Sequence, residues 1–357
     1  MKILHLIYDH INNPWVGGGG AVRCFEINKR LARKGHDITI VSGKYPEAKD
    51  YEAEGLKFRF LGNGRNYVLS VFSYAYESIK FLKRYAKEYD ITVEDFAPWN
   101  PLFSKFFHKR TILQLHQKEG INIFRRYFIL GIPFMIIEAL YPKSYKKIIT
   151  VSEESKGKFN VNAKVISNGI SEELLKEKIS RGEYIGYLGR IDMYHKGLDV
   201  LLDAITDIDL SVYIAGKGKD EGILREMINR KGLKDKVRLI GFVSGKDKID
   251  FIKNALFIVM PSRYEAQGIV ALEAAALGKP LIVSDIPELR YVTENGFGIS
   301  FRSEDAESLR QAIEYLLKNE HLIEEMGLRG RRYAAKFTWD KIADEYEKYL
   351  YEVFEEE

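Results

Sequence analysis

The chain lacks most of the marks of secreted, membrane-spanning or nucleic-acid-binding proteins. A single cysteine, Cys24, stands among 357 residues, so no internal disulfide can form and a reducing, cytoplasmic compartment is expected. The net charge of +4 is small against 55 basic and 51 acidic side chains, so bulk electrostatics gives no reason to expect nucleic acid as a partner. The longest apolar run, residues 127–137, falls well short of the ~20 residues that span a bilayer. The opening MKILHLIY meets Asp9-His10 too soon for a signal-peptide core, and no small-residue cleavage site follows. No residues have metal-ligand spacing and no Ser/His/Asp set stands out, so neither a metal nor a bound cofactor is expected.

What the chain does contain is an alternation of apolar strands and helices, repeated in two halves. In the first half, strand patterns fall at residues 3–8, 36–41, 56–61, 91–94, 110–115, 147–151 and 165–167, with helical patterns at 21–34 and 73–89. A second series begins at 184–188 and continues at 210–215, 237–240, 256–260, 281–283 and 298–301, and helical stretches fill the chain from 306 onward. The length suits two domains. Two βα series predict an α/β protein of two Rossmann-like domains with mostly parallel sheets. The expected limits are 1–168, with a terminal helix at 338–357, and 169–337. The polar stretch 170–183, which carries Gly182, reads as the linker.

The stretch 261–280, PSRYEAQGIVALEAAALGKP, follows a strand and turns into an alanine-rich helix ended by Gly278 and Pro280. Glu265 falls in the loop before that helix and Glu273 more than one turn inside it. Free N–H groups at a helix start can meet phosphate, and two carboxylates can accept hydrogen bonds from hydroxyls, so the segment suits a sugar nucleotide as well as an ordinary loop and helix. Gly189-Arg190 and Lys196-Gly197 follow the first strand of the second half. A planar fork and a point charge there can neutralise a diphosphate without a metal, although solvated surface cations read the same way. Gly216 and Gly218 repeat the strand-then-glycine pattern on the side where open parallel sheets bind ligands.

In the first half, Gly17–Gly20 sit between a strand and a helix, where backbone can approach a phosphate or sugar closely. A dinucleotide fingerprint fails, because the GxGxxG spacing is absent and no acidic residue ends the second strand. His116 ends a strand, where a neutral imidazole can hydrogen-bond a hydroxyl or play a structural part. Residues 121–147 combine Arg125, Arg126, Lys143, Lys146 and Lys147 with Phe124, Phe128, Ile129, Leu130 and Phe134. This is either a helix packed in the core and followed by a basic turn, or a face that touches an anionic membrane.

With these residues in hand, the chain resembles the family 4 retaining glycosyltransferases of GT-B fold over nearly its whole length. The resemblance rests on Gly189-Arg190, Lys196-Gly197, Gly216-Lys217-Gly218, Gly241-Phe242-Val243, Pro261-Ser262, and Glu265 with Glu273, in that order, together with Ser152, Asn168-Gly169 and Phe337-Thr338-Trp339. It implies two domains facing across a cleft, with the last helix crossing back onto the first. It also implies that Arg190 and Lys196 hold the donor diphosphate, that Glu273 holds the ribose hydroxyls, and that Glu265 and His116 face the donor sugar. Backbone at Gly18, Gly19, Gly189, Gly216, Gly218, Gln267, Gly268 and Ile269 would line the donor. Gln267 departs from the family, which usually has an aromatic there.

The expected reaction is transfer of a sugar, with retention, from a nucleoside-diphosphate sugar to a hydroxyl of a sugar or lipid-linked acceptor. Arg190 and Lys196 would stabilise the leaving diphosphate, and the expected location is cytoplasmic or peripheral on the inner membrane face. A nucleotide-sugar epimerase of the same fold would need acid/base residues that no motif here marks. A non-catalytic sugar-nucleotide-binding protein would have lost the Glu and Arg/Lys set, which is present.

Overall fold

The computed structural model describes residues 1–16 and 18–356; Gly17, Glu357 and the side chain of Arg126, all named above, lie outside the described residues. The chain divides into two compact units, Met1–Asn168 with Trp339–Glu357, and Gly169–Thr338.

The first unit is built on eight strands, β1 (Lys2–Leu6), β2 (Asp37–Gly43), β3 (Tyr51–Ala53), β4 (Leu56–Leu61), β5 (Ile91–Asp95), β6 (Thr111–Leu115), β7 (Ile148–Thr150) and β8 (Lys164–Val165). Their order in the sheet is β3-β4-β2-β1-β5-β6-β7-β8. All pairs are parallel except β3 with β4. The inner strands are covered on both faces, so they read as near-continuous apolar runs: Ile3, Leu4 and Leu6 are all but inaccessible, as are Ile38, Ile40 and Val41. β3 escapes the sequence pattern because Tyr-Glu-Ala is short and lies at the edge. It is joined to β4 by Glu54 and Gly55, both at positive φ, which is the two-residue hairpin turn that matches strand twist.

The helix expected at 73–89 runs instead from Tyr67 to Tyr85, because the Asn66 side chain accepts the Leu69 amide at 3.0 Å and starts the helix earlier. The helix Gly19–Arg33 follows β1. The last helix, Trp339–Glu355, packs on it through buried Ile342, Ala343, Tyr346, Leu350 and Val353. Ion pairs Arg30–Asp340 (2.8 Å) and Lys34–Glu347 (2.6 Å) line the seam. The chain's end thus crosses back to the first unit, as the resemblance implies.

The segment 121–147 is not a core helix. Two short helices, Ile121–Tyr127 and Ile132–Leu140, flank a turn at Phe128, and most of their apolar side chains are exposed.

The second unit holds β9 (Tyr184–Leu188), β10 (Val212–Ala215), β11 (Val237–Gly241), β12 (Ala255–Met260), β13 (Leu281–Ser284) and β14 (Gly298–Phe301). The sheet order is β11-β10-β9-β12-β13-β14, all parallel. One face carries Leu198, Leu201 and Leu202 with Ile313 and Leu316; the other carries Leu272 and Ala274–Ala276. The stretch 170–183 belongs to this body and is not a free linker. Ile170 and Leu174 are buried in its core, and the Ile170 amide donates to the Phe337 carbonyl at 2.8 Å. A polar composition hid two apolar anchors.

Candidate active site

Each sheet has one point where strand order reverses: between β9 and β12 in the second unit, and between β1 and β5 in the first. In open parallel sheets the crevice beyond the carboxyl ends of such a strand pair is where ligands bind. In the second unit, the loop after β9 carries Gly189, Arg190 and Lys196, and the loop after β12 carries Ser262, Glu265, Gln267 and Gly268. Residues up to 80 positions apart in the chain (269 − 189), from Gly189 to Ile269, therefore meet on one rim.

The glycines of this rim are demanded by backbone packing. A Cβ on Gly216 would lie 1.8 Å from the Gly189 carbonyl oxygen, and one on Gly218 would lie 2.0 Å from that of Ile191. The loops after β9 and β10 thus nest backbone against backbone. Gly197, at φ +60°, presses on the Pro261 carbonyl, which a Cβ would approach to 1.9 Å. Gly197→Ala is therefore expected to cost on the order of 2 kcal/mol or more, since both strain and overlap oppose it. Urea denaturation measures this, and a loss below ~0.5 kcal/mol would contradict the packing account.

Lys196 and Glu265 form an ion pair at 2.5 Å, and the Glu265 Oε1 also accepts the Ser262 hydroxyl at 2.8 Å. Ser262 is itself held by the Ser284 hydroxyl, which donates to its carbonyl at 2.5 Å. Arg190 stands apart: its side chain is exposed and makes no ion pair among the described residues. Gly268 adopts φ +77° just before the helix Ile269–Ala276 and offers no side-chain cap, so the helix start is open. Gln267 is buried, and its carbonyl accepts the Tyr291 hydroxyl at 2.8 Å. Glu273, inside that helix, pairs with Lys248 at 2.5 Å.

Sequence reasoning missed three braces here. Lys248 is one. Asp192 accepts the His195 amide at 3.0 Å and its Nδ1 at 3.1 Å, which folds the 190–197 loop on itself. Burial would raise the Asp192 carboxyl, but the hydrogen bonds from His195 and the charge of Lys219 outweigh it and hold it below the usual range. Arg263 forks onto Asp199 at 2.9 and 2.8 Å and reaches Glu304 at 2.6 Å, tying the loop after β12 to the helix Leu198–Ala204. The Asp-x-x-His spacing was a visible turn signal; the partners of Arg263 and Lys248 lie too far along the chain to be read.

In the first unit, Gly18 and Gly19 open the helix after β1. Asp95, at the end of β5, is a buried hub whose partner His116 lies against Gly20, where a Cβ would stand 3.5 Å from its Nε2. Its Oδ1 contacts His116 Nε2 and accepts Gln114 Nε2 at 2.8 Å, while its Oδ2 contacts His5 Nε2. His5 Nδ1 in turn meets the Asn28 amide at 2.8 Å. Arg23, fully buried, donates to the Ser167 carbonyl at 2.5 Å and to Asn168 Oδ1 at 3.3 Å. Burial alone would raise Asp95, but His116 and His5 outweigh it and hold it well below the carboxylate range. Burial likewise opposes a charged His5, yet Cys24 and Asp95 push it up to about 10. The sequence picked His116 and not the carboxylate that anchors it. No group of three or more potential metal-binding side chains occurs among the described residues.

Two parallel sheets of this order, with a cationic and carboxylate rim on the second, define an α/β protein of two Rossmann-like bodies, and the comparisons give its family. The description "Glycosyl transferases group 1" matches residues 171–333, and "Glycosyltransferase Family 4" matches residues 17–174. Between them they run from 17 to 333, and the chain belongs to this glycosyltransferase family. It is 32% identical over 55% of its length to an uncharacterized glycosyltransferase of Methanocaldococcus jannaschii, spanning 56% of that protein. A second uncharacterized glycosyltransferase of the same organism is 26% identical over 97% of the chain and 96% of its own length. Among solved structures, sucrose-phosphate synthase from Thermosynechococcus elongatus superposes with a TM-score of 0.83 at 19% identity, over 99% of each chain. HepE of Anabaena, in complex with UDP-glucose, gives 0.77 at 16% identity over 99% of this chain and 100% of that one. The fold is GT-B.

Proposed function

We propose that the protein transfers a hexosyl unit, with retention, from a nucleoside-diphosphate sugar to a hydroxyl of a sugar or lipid-linked acceptor. The observation that carries this reading is the meeting of Lys196, Glu265 and Ser262 on the rim that also carries Arg190 and the open start of the helix Ile269–Ala276, beyond the β9/β12 reversal. A diphosphate lying on this rim meets two cations and free amides, so negative charge building on the leaving group is stabilised without a metal or other cofactor. Glu265, fixed by Lys196 and Ser262, then offers its remaining acceptor capacity to the donor sugar. Glu273 accepts the ribose hydroxyls, exchanging with Lys248 for them. In the first unit, His116 hydrogen-bonds a sugar hydroxyl, with Asp95 setting the ring's orientation. No residue is assigned as general base; the leaving phosphate takes the acceptor proton during attack on the same face. The solved HepE complexes hold UDP, glucose and UDP-glucose, which favours a uridine donor as the first to try. The setting we propose is the cytoplasm, with the enzyme peripheral on the inner face of the membrane.

The test is a panel of nucleoside diphosphates scored by thermal stabilisation, followed by product analysis with the matching radiolabelled sugar donors. Labelled sugar should leave the nucleotide for an acceptor. Isomerised nucleotide sugar, or binding with no chemistry, would overturn the reading. Glu273→Ala should weaken nucleoside-diphosphate binding about 10- to 100-fold by calorimetry, the range for losing a charged hydrogen-bond acceptor.

A further inference from the structure

Strand pairing by itself does not bring Lys196 to Glu265. β9 ends at Leu188 and β12 at Met260, so Lys196 lies eight residues beyond one strand (196 − 188) and Glu265 five beyond the other (265 − 260). Loops of that length have many conformations open to them. An ion pair of 2.5 Å between their side chains therefore needs the two backbones fixed against each other.

Arg263, two residues before Glu265, supplies that fixing. Its backbone amide donates at 2.9 Å to the carbonyl of His195, the residue just before Lys196. Its guanidinium reaches the same loop, where Nη1 donates to the Tyr194 carbonyl at 2.9 Å and the group lies 5.0 Å from the centre of the Tyr194 ring. Nη1 and Nη2 also fork onto Asp199 at 2.9 and 2.8 Å, and Nε donates to Glu304 at 2.6 Å. Gly197, on the other side of Lys196, presses on the Pro261 carbonyl. Both chain neighbours of Lys196 are thus pinned to the loop that carries Glu265, one by Arg263 and one by Pro261.

The guanidinium is suited to this and an ammonium is not. Four of its five N–H groups are engaged by Tyr194, Asp199 and Glu304, and the side chain is only 10% exposed. A planar fork meets both oxygens of one carboxylate while reaching two further acceptors; a lysine offers a single point charge on a flexible stem. With its donors spent in this way, Arg263 acts through Lys196 and Glu265 and not on a substrate.

We propose that Arg263 is a positioning residue of the rim: it sets Lys196 against Glu265, and through them the placement of a donor's diphosphate relative to its sugar. The catalytic consequence rests on the transferase reading; the clamp itself needs no donor. A misplacement of about 1 Å in such a site costs on the order of 100-fold in rate. Arg263→Lys should therefore lower kcat about 10- to 100-fold in steady-state kinetics with the donor that the nucleotide panel identifies. The donor KM should stay within about threefold, since the groups that meet the diphosphate remain. Asp199→Asn, which removes the fork's partner, should repeat this split to a smaller extent. Glu304→Gln, at a side chain 60% exposed, should stay within about twofold of wild type. An arginine that only supports the fold would lower the urea midpoint and leave kcat per folded molecule unchanged.

A second measurement uses no donor. In the wild-type background, the urea-midpoint losses of Lys196→Ala and Glu265→Gln should combine to less than their sum, because each removes the same pair; in the Arg263→Lys background they should add. If Arg263→Lys does not fold, Asp199→Asn carries both measurements. A kcat within twofold of wild type, an effect confined to KM, or non-additivity that survives the loss of the clamp would each overturn the proposal. A chain that transfers no sugar from any donor, yet shows the expected midpoint pattern, fails the transferase reading and keeps the clamp; normal transfer with the pattern absent fails the clamp alone.

Discussion

Arg190→Ala is expected to lower sugar transfer about 100- to 1,000-fold and to leave the unfolding midpoint where it was. On the proposed reading, the size follows from removing one charge from the place where a leaving diphosphate would gain negative charge. The neutrality toward folding follows from the structure: Arg190 is exposed and has no ion-pair partner among the described residues, and such surface positions move stability by no more than ~0.5 kcal/mol. Lys196→Ala provides the contrast. Its ammonium is held at 2.5 Å by Glu265, whose side chain is only 11% exposed. Loss of the lysine leaves a poorly solvated carboxylate without its counter-charge, so this variant should lose activity and also ~1–3 kcal/mol of stability. Steady-state kinetics with the identified donor, beside urea denaturation of both variants, separates the two. Undiminished turnover in Arg190→Ala would remove this residue from the site.

Asp95→Asn is expected to destabilise the first unit by about 3–5 kcal/mol near pH 6, because it strips the counter-charge from a buried hub while leaving His5 in place. The pH dependence has a definite sign. His5 is pushed up to about 10, so its pairing stabilises fully below the unfolded value of ~6.5 and fades as pH rises toward 10. Asp95 is shifted the other way; its contribution is present above the unfolded value of ~3.9 and fades as acid is added. The gap between wild type and Asp95→Asn is therefore widest between about pH 4 and 6.5 and narrows toward pH 10. Urea unfolding of both proteins at pH 6 and again near pH 9.5 checks this. An equal gap at both values would mean that the histidine is not charged in the fold.

Much of the rim was legible because its signals are local. Glycine after a strand, a cation beside it, and an alanine-rich stretch closed by Gly278 and Pro280 all report on a few neighbouring residues, and they led to Arg190, Lys196, Glu265 and Glu273. What misled was composition read without contacts. The polar stretch 170–183 hides Ile170 and Leu174 in the core, and the apolar stretch 121–140 stands largely in solvent. In each case hydrophobicity averaged over a window says less than which few side chains find a packing partner. The early start of the helix at Tyr67 had a readable signal in Asn66, an N-cap whose side chain meets the Leu69 amide.

By itself, the order of apolar runs and breakers determined two parallel α/β bodies, because strand and helix periodicity and chain punctuation act over a few residues. Only the tertiary structure decided the partners. Lys196 meets Glu265 across 69 positions of chain and His5 meets Asp95 across 90, distances closed by sheet order and register and not by any local preference. Which carboxylate faces which cation is settled when β12 is laid beside β9, and β5 beside β1.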